Sequence, residues 1–325
     1  MDFIIKARGE KFKILQMTDM QIIDSKQCRR PDRLCAAEQE KWIPEKMKEN
    51  AFDMMDELVR RVQPDLIVVT GDVVYGEFDD NGSSLSALVE KFDSYATPWA
   101  IVWGNHDNAC KLGVDWQIGK ILDSKYGLFK KGEVTGTGNY TIALASAAGE
   151  VKRTVYMLDC NGGWDLSELS LAQGACPSGG FKPDQLAWIE RTAAEIQRKW
   201  GNVPAFACFH IPTDDVKAYL ENKGIVYERK KTVYESKGEG EFGEILEAGS
   251  LVQSKEEQFK AARIDGVFYG HHHVNSLSFE KNGVRYTFGL KTGYYDYHEV
   301  GKTGGTEIVV DMNDGSFTVR HEYVK

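Results

Sequence analysis

The sequence predicts an α/β fold, because short apolar runs typical of strands alternate with amphipathic stretches typical of helices along its 325 residues. The run Leu66-Ile67-Val68-Val69 is apolar throughout, as expected for a strand that is covered on both faces. The stretch Ala51–Val62 instead places its apolar residues on one helical stripe. No internal repeat or linker separates two halves, so we expect a single domain over residues 1–325.

The predicted elements follow one another in a regular order, and each rests on a local pattern. Strands, as short runs rich in β-branched and aromatic residues, are expected at Lys13–Met17, Leu66–Val69, Trp99–Trp103, Asn139–Ala145, Arg153–Leu158, Ala205–Phe209, Gly266–Tyr269, Arg285–Phe288, Thr306–Asp311 and Ser316–Tyr323. Helices, with a 3.6-residue period, are expected at Ala51–Val62, Leu85–Tyr95, Asp184–Trp200, Asp214–Leu220 and Lys255–Ala262. Pro183 stands where the third helix would begin, and Asn313-Asp314-Gly315 is a turn signal between the last two strands.

The composition and net charge of the chain argue against several classes of binding partner. The chain has 40 Lys and Arg residues against 49 Asp and Glu residues, a formal net charge of −9 at pH 7. This acidity argues against non-specific binding to nucleic acid or to anionic membranes. The chain also lacks any run of 18 apolar residues that would span a membrane. Its first residues lack the basic-then-apolar order of a signal peptide, so we expect a cytoplasmic protein, with an exported mature form as the alternative.

The six cysteines include no Cys-x-x-Cys pair, which argues against a zinc ribbon or a thioredoxin-type site. We expect free and mostly buried thiols, because a chain of this size does not need disulfides. Cys28 and Cys35 flank a polar loop and are the candidates for a disulfide if the protein is exported.

Residue types that bind metals directly follow five of the predicted strands. The five groups are Asp19-Met20-Gln21, Gly71-Asp72, Gly104-Asn105-His106-Asp107, His210 and Gly270-His271-His272-His273. Open α/β sheets place their sites beyond the carboxyl ends of strands, so we expect these groups to converge. Mixed imidazole, carboxylate and amide ligands suit mid-row transition metals, whereas calcium prefers oxygen ligands alone. Two such ions, about 3.5–4 Å apart, would share a bridging carboxylate.

The order of these motifs resembles the calcineurin-like metallophosphoesterase superfamily. The likeness extends from about Ile14 to His298 and is closest to the branch of purple-acid-phosphatase-related phosphoesterases. Three stretches carry this closer likeness, namely Leu15–Met20, Gly270–Asn275 and Gly293-Tyr294-Tyr295. The resemblance implies a four-layer α/β/β/α sandwich with two mixed β-sheets.

The resemblance also implies a role for each matching residue. Asp72 would bridge two transition-metal ions, expected to be iron, zinc or manganese. The other ligands would be divided between the two ions, with Asp19 and His273 on the first and Asn105, His210 and His271 on the second. His106 would be the catalytic imidazole, with Asp107 as its orienting partner. His272 falls at a variable position and is not expected to be a ligand.

Gln21 departs from the family pattern, because many members have histidine at this position. Two hypotheses for the first metal ion follow. Gln21 could bind it weakly through its neutral carbonyl oxygen. Alternatively Tyr75, three residues after Asp72, could bind ferric iron as a tyrosinate, which resembles the true purple acid phosphatases. The second hypothesis predicts that the oxidised, iron-loaded protein absorbs visible light.

The implied reaction is hydrolysis of a phosphoester by a metal-bound hydroxide at a dinuclear site, with small phosphomonoesters as the expected substrates. Arg29 and Arg30, in the loop after the first motif, are expected to pair with the substrate phosphate. Tyr294 follows a late strand and is expected to line the same pocket.

Two other functions stay open at this stage. The protein could be a phosphodiesterase or nucleotidase of the same fold, which the late pocket loops would decide. It could also be a weakly active scaffold that binds a phosphorylated ligand, because Gln21 weakens the first metal position. His106 argues against the scaffold, since binding alone needs no catalytic imidazole. We expect no nucleic-acid or membrane partner, and the sequence indicates no oligomeric state.

Overall fold

Two mixed sheets form the centre of the computed structural model, which describes residues 1–24, 44–162, 179–224, 231–232, 240–243, 251–294 and 296–324. The seven-stranded sheet contains, in spatial order, β1 (Phe3–Lys6), β6 (Tyr140–Ala145), β7 (Val151–Met157), β8 (Ala205–Cys208), β11 (Ile264–Tyr269), β13 (Val284–Phe288) and β12 (Ser278–Lys281). The six-stranded sheet contains β15 (Phe317–Tyr323), β14 (Gly304–Asp311), β2 (Lys11–Met17), β3 (Leu66–Val69), β4 (Trp99–Ile101) and β5 (Gly127–Leu128). A short antiparallel pair, β9 (Lys231–Thr232) with β10 (Glu241–Phe242), stands apart from both.

Helices cover the outer faces of the two sheets. In chain order they are α1 (Pro44–Val62), α2 (Ser83–Ser94), α3 (Val114–Leu122), α4 (Pro183–Trp200), α5 (Asp215–Asn222) and α6 (Glu256–Ala261). Two single 3₁₀ turns occupy Gly76–Phe78 and Asp107–Ala109. None of the described helices combines the length and the apolar character needed to cross a bilayer.

Two hydrophobic clusters define the layers. The larger joins α1, α2 and α3 to the six-stranded sheet and continues between the sheets, where Ile308 of β14 belongs to the same cluster as Val155 of β7. The smaller lies on the outer face of the seven-stranded sheet, where it includes Ile189 of α4 and Phe259 of α6. The resulting order of helix, sheet, sheet and helix confirms the predicted α/β/β/α sandwich.

The pairing register places the carboxyl ends of neighbouring strands side by side. β2, β3 and β4 run parallel, and Met17, Val69 and Ile101 stand side by side at their carboxyl ends. In the other sheet β8 and β11 are also parallel, with Cys208 opposite Phe268. The segments after β2, β3 and β4 therefore leave one sheet at the same level, and the segments after β8 and β11 leave the other sheet at one level.

The two sheets are held together at this edge by buried polar contacts. Gln16 of β2 donates from Nε2 to the carbonyl oxygen of Tyr269 in β11 at 3.1 Å and to Oγ1 of Thr70 at 2.9 Å. Gln16 is 1% exposed. Because a buried amide without partners would cost free energy, these bonds favour one fixed alignment of the sheets.

Several element bounds differ from the sequence-based expectation. The strand at Trp99 ends at Ile101 rather than Trp103, because the chain there turns into the loop that carries the third motif. The sequence does not predict strands β1, β5, β9, β10 and β12 or helix α3. The signal for β12 was present as Asn282-Gly283, whose positive φ values of 53° and 81° make the tight turn to β13.

The cysteines that the structure describes agree with the expectation of free thiols. Cys110, Cys160 and Cys208 are buried, and no disulfide joins any two of them. Cys28 and Cys35, the candidate disulfide pair, lie outside the described residues.

Arg153 of β7 joins the two sheets from a buried position, and it generates a prediction about stability. Its guanidinium donates to the carbonyl oxygen of Gly315 at 2.6 Å, pairs with Asp265 and lies 4.2 Å and 4.7 Å from the ring centres of Phe206 and Phe317. We expect Arg153→Met to lower the free energy of unfolding by about 2–4 kcal/mol, because it leaves a buried carbonyl and a carboxylate without their donor.

Urea unfolding measures this effect, with Arg320→Met as the matched control. Arg320 also pairs with an acidic residue, Glu307, but its side chain is 70% exposed. An exposed ion pair contributes little to stability, so the control should unfold close to the wild-type midpoint. Equal midpoints for the two variants would contradict the linking role of Arg153.

Candidate metal centre

Three predicted ligands lie close enough together to bind one metal ion. Within the described residues, they are the only group of three or more His, Cys, Asp or Glu side chains with this property. Atoms of Asp72, His210 and His271 lie within 4.8 Å of one another. Asp72 Oδ2 is 3.2 Å from His210 Nε2, and Asn105 Oδ1 is 3.1 Å from that same nitrogen. Four side chains from four different strand ends thus meet around one point, as the sequence predicts for the second metal ion.

The orientation of the His210 ring explains why this point suits a cation. Its Nδ1 donates to the carbonyl oxygen of Thr70 at 2.7 Å, so Nε2 faces the oxygens of Asp72 and Asn105. Burial lowers the pKa of His210, but the Asp72 carboxylate outweighs burial and raises this pKa to about 9. A proton on Nε2 therefore occupies the position where a metal ion would bind, and metal binding would displace it.

The other two charged or titratable ligands are in the protonation states that metals require. Burial raises the pKa of the Asp72 carboxyl, but the imidazoles of His210 and His106 lower it well below its usual range. Burial lowers the pKa of His271 far below its ordinary value, and His210 lowers it further. Asp72 is therefore a carboxylate and His271 a neutral imidazole at neutral pH, as a metal site needs.

Steric crowding explains why Gly104 and Gly270 are glycines. A Cβ on Gly104 would lie 2.1 Å from Asp72 Oδ1, and a Cβ on Gly270 would lie 2.0 Å from Thr18 Oγ1 and 2.6 Å from Asp19 Oδ2. Such contacts are shorter than any real Cβ contact, so only glycine lets the backbone pass this close to the carboxylates.

The predicted role of Asp107 as the orienting partner of His106 is wrong. The Asp107 carboxylate accepts four backbone N–H groups instead, from Asp72, Val73 and Val74 at 2.9–3.1 Å and from Gly104 at 2.8 Å. It is fully buried. These bonds tie the loop after β3 to the loop after β4, so Asp107 holds the backbone that presents Asp72.

Glu77 holds His106, and no motif in the sequence predicts this contact. Both carboxylate oxygens of Glu77 lie 3.1 Å from His106 Nδ1, and Glu77 is fully buried in the 3₁₀ turn at Gly76–Phe78. The backbone N–H of His106 donates to Asp72 Oδ1 at 2.8 Å. Glu77 belongs to no metal-binding motif, and its only signal in the sequence is an acidic residue five positions after Asp72.

Asp19 and His273, predicted for the first metal ion, face each other. His273 Nε2 is 3.5 Å from Asp19 Oδ1, while His273 Nδ1 donates to the carbonyl oxygen of Tyr297 at 3.0 Å. The Tyr297 ring stacks on the His273 ring with centroids 3.9 Å apart. The Asp19 carboxylate also accepts the Thr18 hydroxyl at 2.8 Å and the backbone N–H of His271 at 3.0 Å.

Gln21, the residue that departs from the family pattern, contacts a lysine. Lys291 Nζ donates to Gln21 Oε1 at 3.1 Å and to the carbonyl oxygen of Asp19 at 2.6 Å. Gln21 and Lys291 are each 1% exposed. The carbonyl oxygen that would bind a metal ion is therefore engaged with an ammonium group.

Tyr75, the alternative ligand for the first ion, packs against the catalytic candidate. Its ring centre lies 4.3 Å from that of His106 and 5.4 Å from that of Phe78. Tyr75 is buried in a small cluster with Ile23 and Met47. These packing contacts do not test whether Tyr75 binds iron as a tyrosinate, so this role stays a prediction.

The remaining candidates are distributed around the centre. His272 stacks on Phe288 and its Nδ1 accepts from Asn275 Nδ2 at 2.8 Å, and the expectation that it is no ligand stays a prediction. Tyr294 packs against the larger hydrophobic cluster, with Arg61 of α1 nearby, so its contact with substrate stays a prediction. The other two substrate-binding candidates, Arg29 and Arg30, lie outside the described residues.

Known proteins with similar sequences carry related names. The chain is 29% identical over 270 residues to an Arabidopsis thaliana protein named probable inactive purple acid phosphatase 28, and the match covers 76% of this chain and 63% of that one. It is 25% identical over 338 residues to probable inactive purple acid phosphatase 29 of the same plant, covering 94% of this chain and 78% of that one. The chain thus spans less than two thirds of the length of the first relative.

A solved structure and a family description complete the comparison. The crystal structure of a dimetal phosphatase from Danio rerio has the same fold, with a TM-score of 0.55 and 11% identity over 95% of this chain and 98% of that one. The sequence model of the calcineurin-like phosphoesterase family matches residues 12–275, which include every predicted metal ligand. The chain therefore belongs to the calcineurin-like phosphoesterase family.

Proposed function

We propose that this protein hydrolyses phosphoesters, with small phosphomonoesters as substrates, in a reaction that depends on metal bound at the centre described above. The observation that carries the proposal is the convergence of Asp72, Asn105, His210 and His271 beside the His106–Glu77 pair. The first group fits a mid-row transition-metal ion, and the second fits an acid–base catalyst.

A bound cation would supply Lewis-acid polarisation of the phosphoryl group and a lowered pKa for water. The chain itself supplies orientation. Asp107 fixes the backbone of Asp72 through N–H bonds, and Thr70 fixes the ring of His210. Because these supporting groups are buried, the ligands keep their directions before substrate arrives, which avoids reorganisation during the reaction.

His106 is the residue that we assign to the leaving group. Its Nδ1–H donates to Glu77, and its backbone is bound to Asp72, so the ring has a fixed direction relative to the metal ligands. Nε2 is then the atom that would donate a proton to the leaving alkoxide. A buried carboxylate beside the ring stabilises the imidazolium form, which is the form that donates.

A scaffold that binds a phosphorylated ligand without turnover is the second candidate. Relatives are named probable inactive phosphatases, and the engagement of Gln21 by Lys291 favours a weak first metal position. The His106–Glu77 pair favours the enzyme, because binding alone needs no buried acid–base pair. A phosphodiesterase or nucleotidase activity would use the same centre with a different pocket wall.

Aryl phosphate hydrolysis with added manganese, zinc or iron separates these candidates. Turnover of the monoester supports the enzyme, and faster turnover of a bis-aryl phosphodiester would favour the diesterase. Tight phosphate binding without turnover under any metal would favour the scaffold.

Replacing His106 tests the assigned catalyst. We expect His106→Ala to lower kcat by about 10²–10⁴-fold, because the leaving group loses its proton donor. Elemental analysis should find the metal content unchanged, since the metal ligands remain. The control is His321→Ala on edge strand β15, whose imidazole contacts Thr306 and Ser276 rather than the centre. Wild-type kcat in His106→Ala would refute the assignment.

Replacing Glu77 tests whether this carboxylate acts through His106. We expect Glu77→Gln to lower kcat and to move the basic limb of the pH–rate profile to lower pH by about one unit, because the imidazolium loses its anionic partner. Glu77→Asp should recover part of the rate. A lower kcat with an unmoved pH profile would show that Glu77 has only a structural role.

A further inference from the structure

A buried lysine lies inside the candidate metal centre, on the side of the first metal ion. Lys291 follows β13 and pairs with Thr18 in an isolated parallel bridge, so its backbone runs beside the Asp19 segment. Its side chain is almost fully buried, and its ammonium donates to the Asp19 carbonyl oxygen and to Gln21 Oε1. An ammonium group of the chain thus lies beside Gln21, the position where many members of the family have a histidine ligand.

The ammonium group competes with a metal ion for Gln21. A buried ammonium requires oxygen acceptors, because an unsatisfied buried charge is costly. If a metal ion took the Gln21 oxygen, Lys291 would lose one acceptor and would also face a second cation at short range. Gln21 is a neutral ligand and offers little to offset that repulsion.

The ligands that remain for the first ion are few. Asp19 and His273 face each other across 3.5 Å, whereas Asp72 converges with His210 and His271 at the second position. Among the described residues, no third His, Cys, Asp or Glu joins Asp19 and His273 in a compact group like that at the second position. The two positions therefore differ both in the number of ligands and in the charge beside them.

We propose that Lys291 makes the two cation positions unequal. One ion binds tightly at Asp72, Asn105, His210 and His271, whereas the Lys291 ammonium supplies the positive charge at the other position and weakens a second ion there. This inference rests on the proposed function, because it assumes that the position at Asp72, Asn105, His210 and His271 binds metal. Lys291 is a positioning residue, since it acts by holding Gln21 away from the ion.

Titration of the metal-free wild-type chain with manganese, followed by calorimetry and by electron paramagnetic resonance, tests the inference. We expect one tight equivalent with the signal of an isolated ion, and a second equivalent that binds at least about tenfold more weakly. Lys291→Met should strengthen the second equivalent by about tenfold or more. Adding Gln21→His to Lys291→Met should give two tight, magnetically coupled equivalents.

The matched control is Lys281→Met, which removes a lysine that pairs with Asp215 and Glu256 outside the centre. Both affinities should stay at their wild-type values in this variant. If Lys291→Met fails to fold, the same manganese titration of Gln21→Met tests the inference instead. A glutamine that is not a ligand can be replaced without weakening the second equivalent, and a loss of affinity there would overturn the inference.

Other outcomes separate this inference from the proposed function. Two equivalents of equal affinity in the wild-type chain would overturn the role of Lys291 alone. No bound equivalent at all would overturn the proposed function and this inference with it. Strong visible absorption of the ferric protein that is lost in Tyr75→Phe would place a tight ion on the tyrosine, and would also overturn the unequal sites.

Discussion

The contact of His210 with Thr70 and Asp72 is the interaction on which the centre depends. His210 follows β8 of the seven-stranded sheet, whereas Thr70 and Asp72 follow β3 of the six-stranded sheet. One imidazole thus donates to a backbone carbonyl and faces a carboxylate of the opposite sheet, from a fully buried position. If the sheets slid relative to each other, both contacts would be lost, so the packing of the sandwich fixes the geometry of the site.

Charge explains why such a centre suits a cation. Asp19 and Asp72 are both fully buried. Burial raises the pKa of the Asp19 carboxyl, but its bond with His273 and the charge of His210 lower it below the usual value. Two carboxylates in so small a buried volume are tolerable only with positive charge beside them. Protonated His210 supplies one such charge, Lys291 supplies another, and a metal ion would replace the former.

The sequence predicts the convergence of Asp72, Asn105, His210 and His271, because their placement follows from the strands alone. Their binding of metal stays a prediction. Parallel strands in register bring the residues after β2, β3 and β4 together, and the motif glycines mark where backbone and carboxylate approach closely. Glu77, the N–H bonds of Asp107 and the Lys291–Gln21 bond could not be predicted in this way. Apart from the bond between Gly104 and Asp107, they join residues that are 29–270 positions apart, and no local period or turn signal encodes a contact between two loops. These unpredicted contacts determine how the ligands are held, and one of them engages Gln21, the position where this chain departs from the family pattern.

Anomalous diffraction from crystals soaked in manganese or zinc tests the central claim most directly, because it locates the ion without reference to activity. We expect the strongest peak at bonding distance, about 2.0–2.3 Å, from atoms of Asp72, Asn105, His210 and His271. We expect a weaker peak, or none, between Asp19 and His273. If the strongest peak lay elsewhere, it would contradict the claim that side chains from both sheets bind one cation at their shared edge.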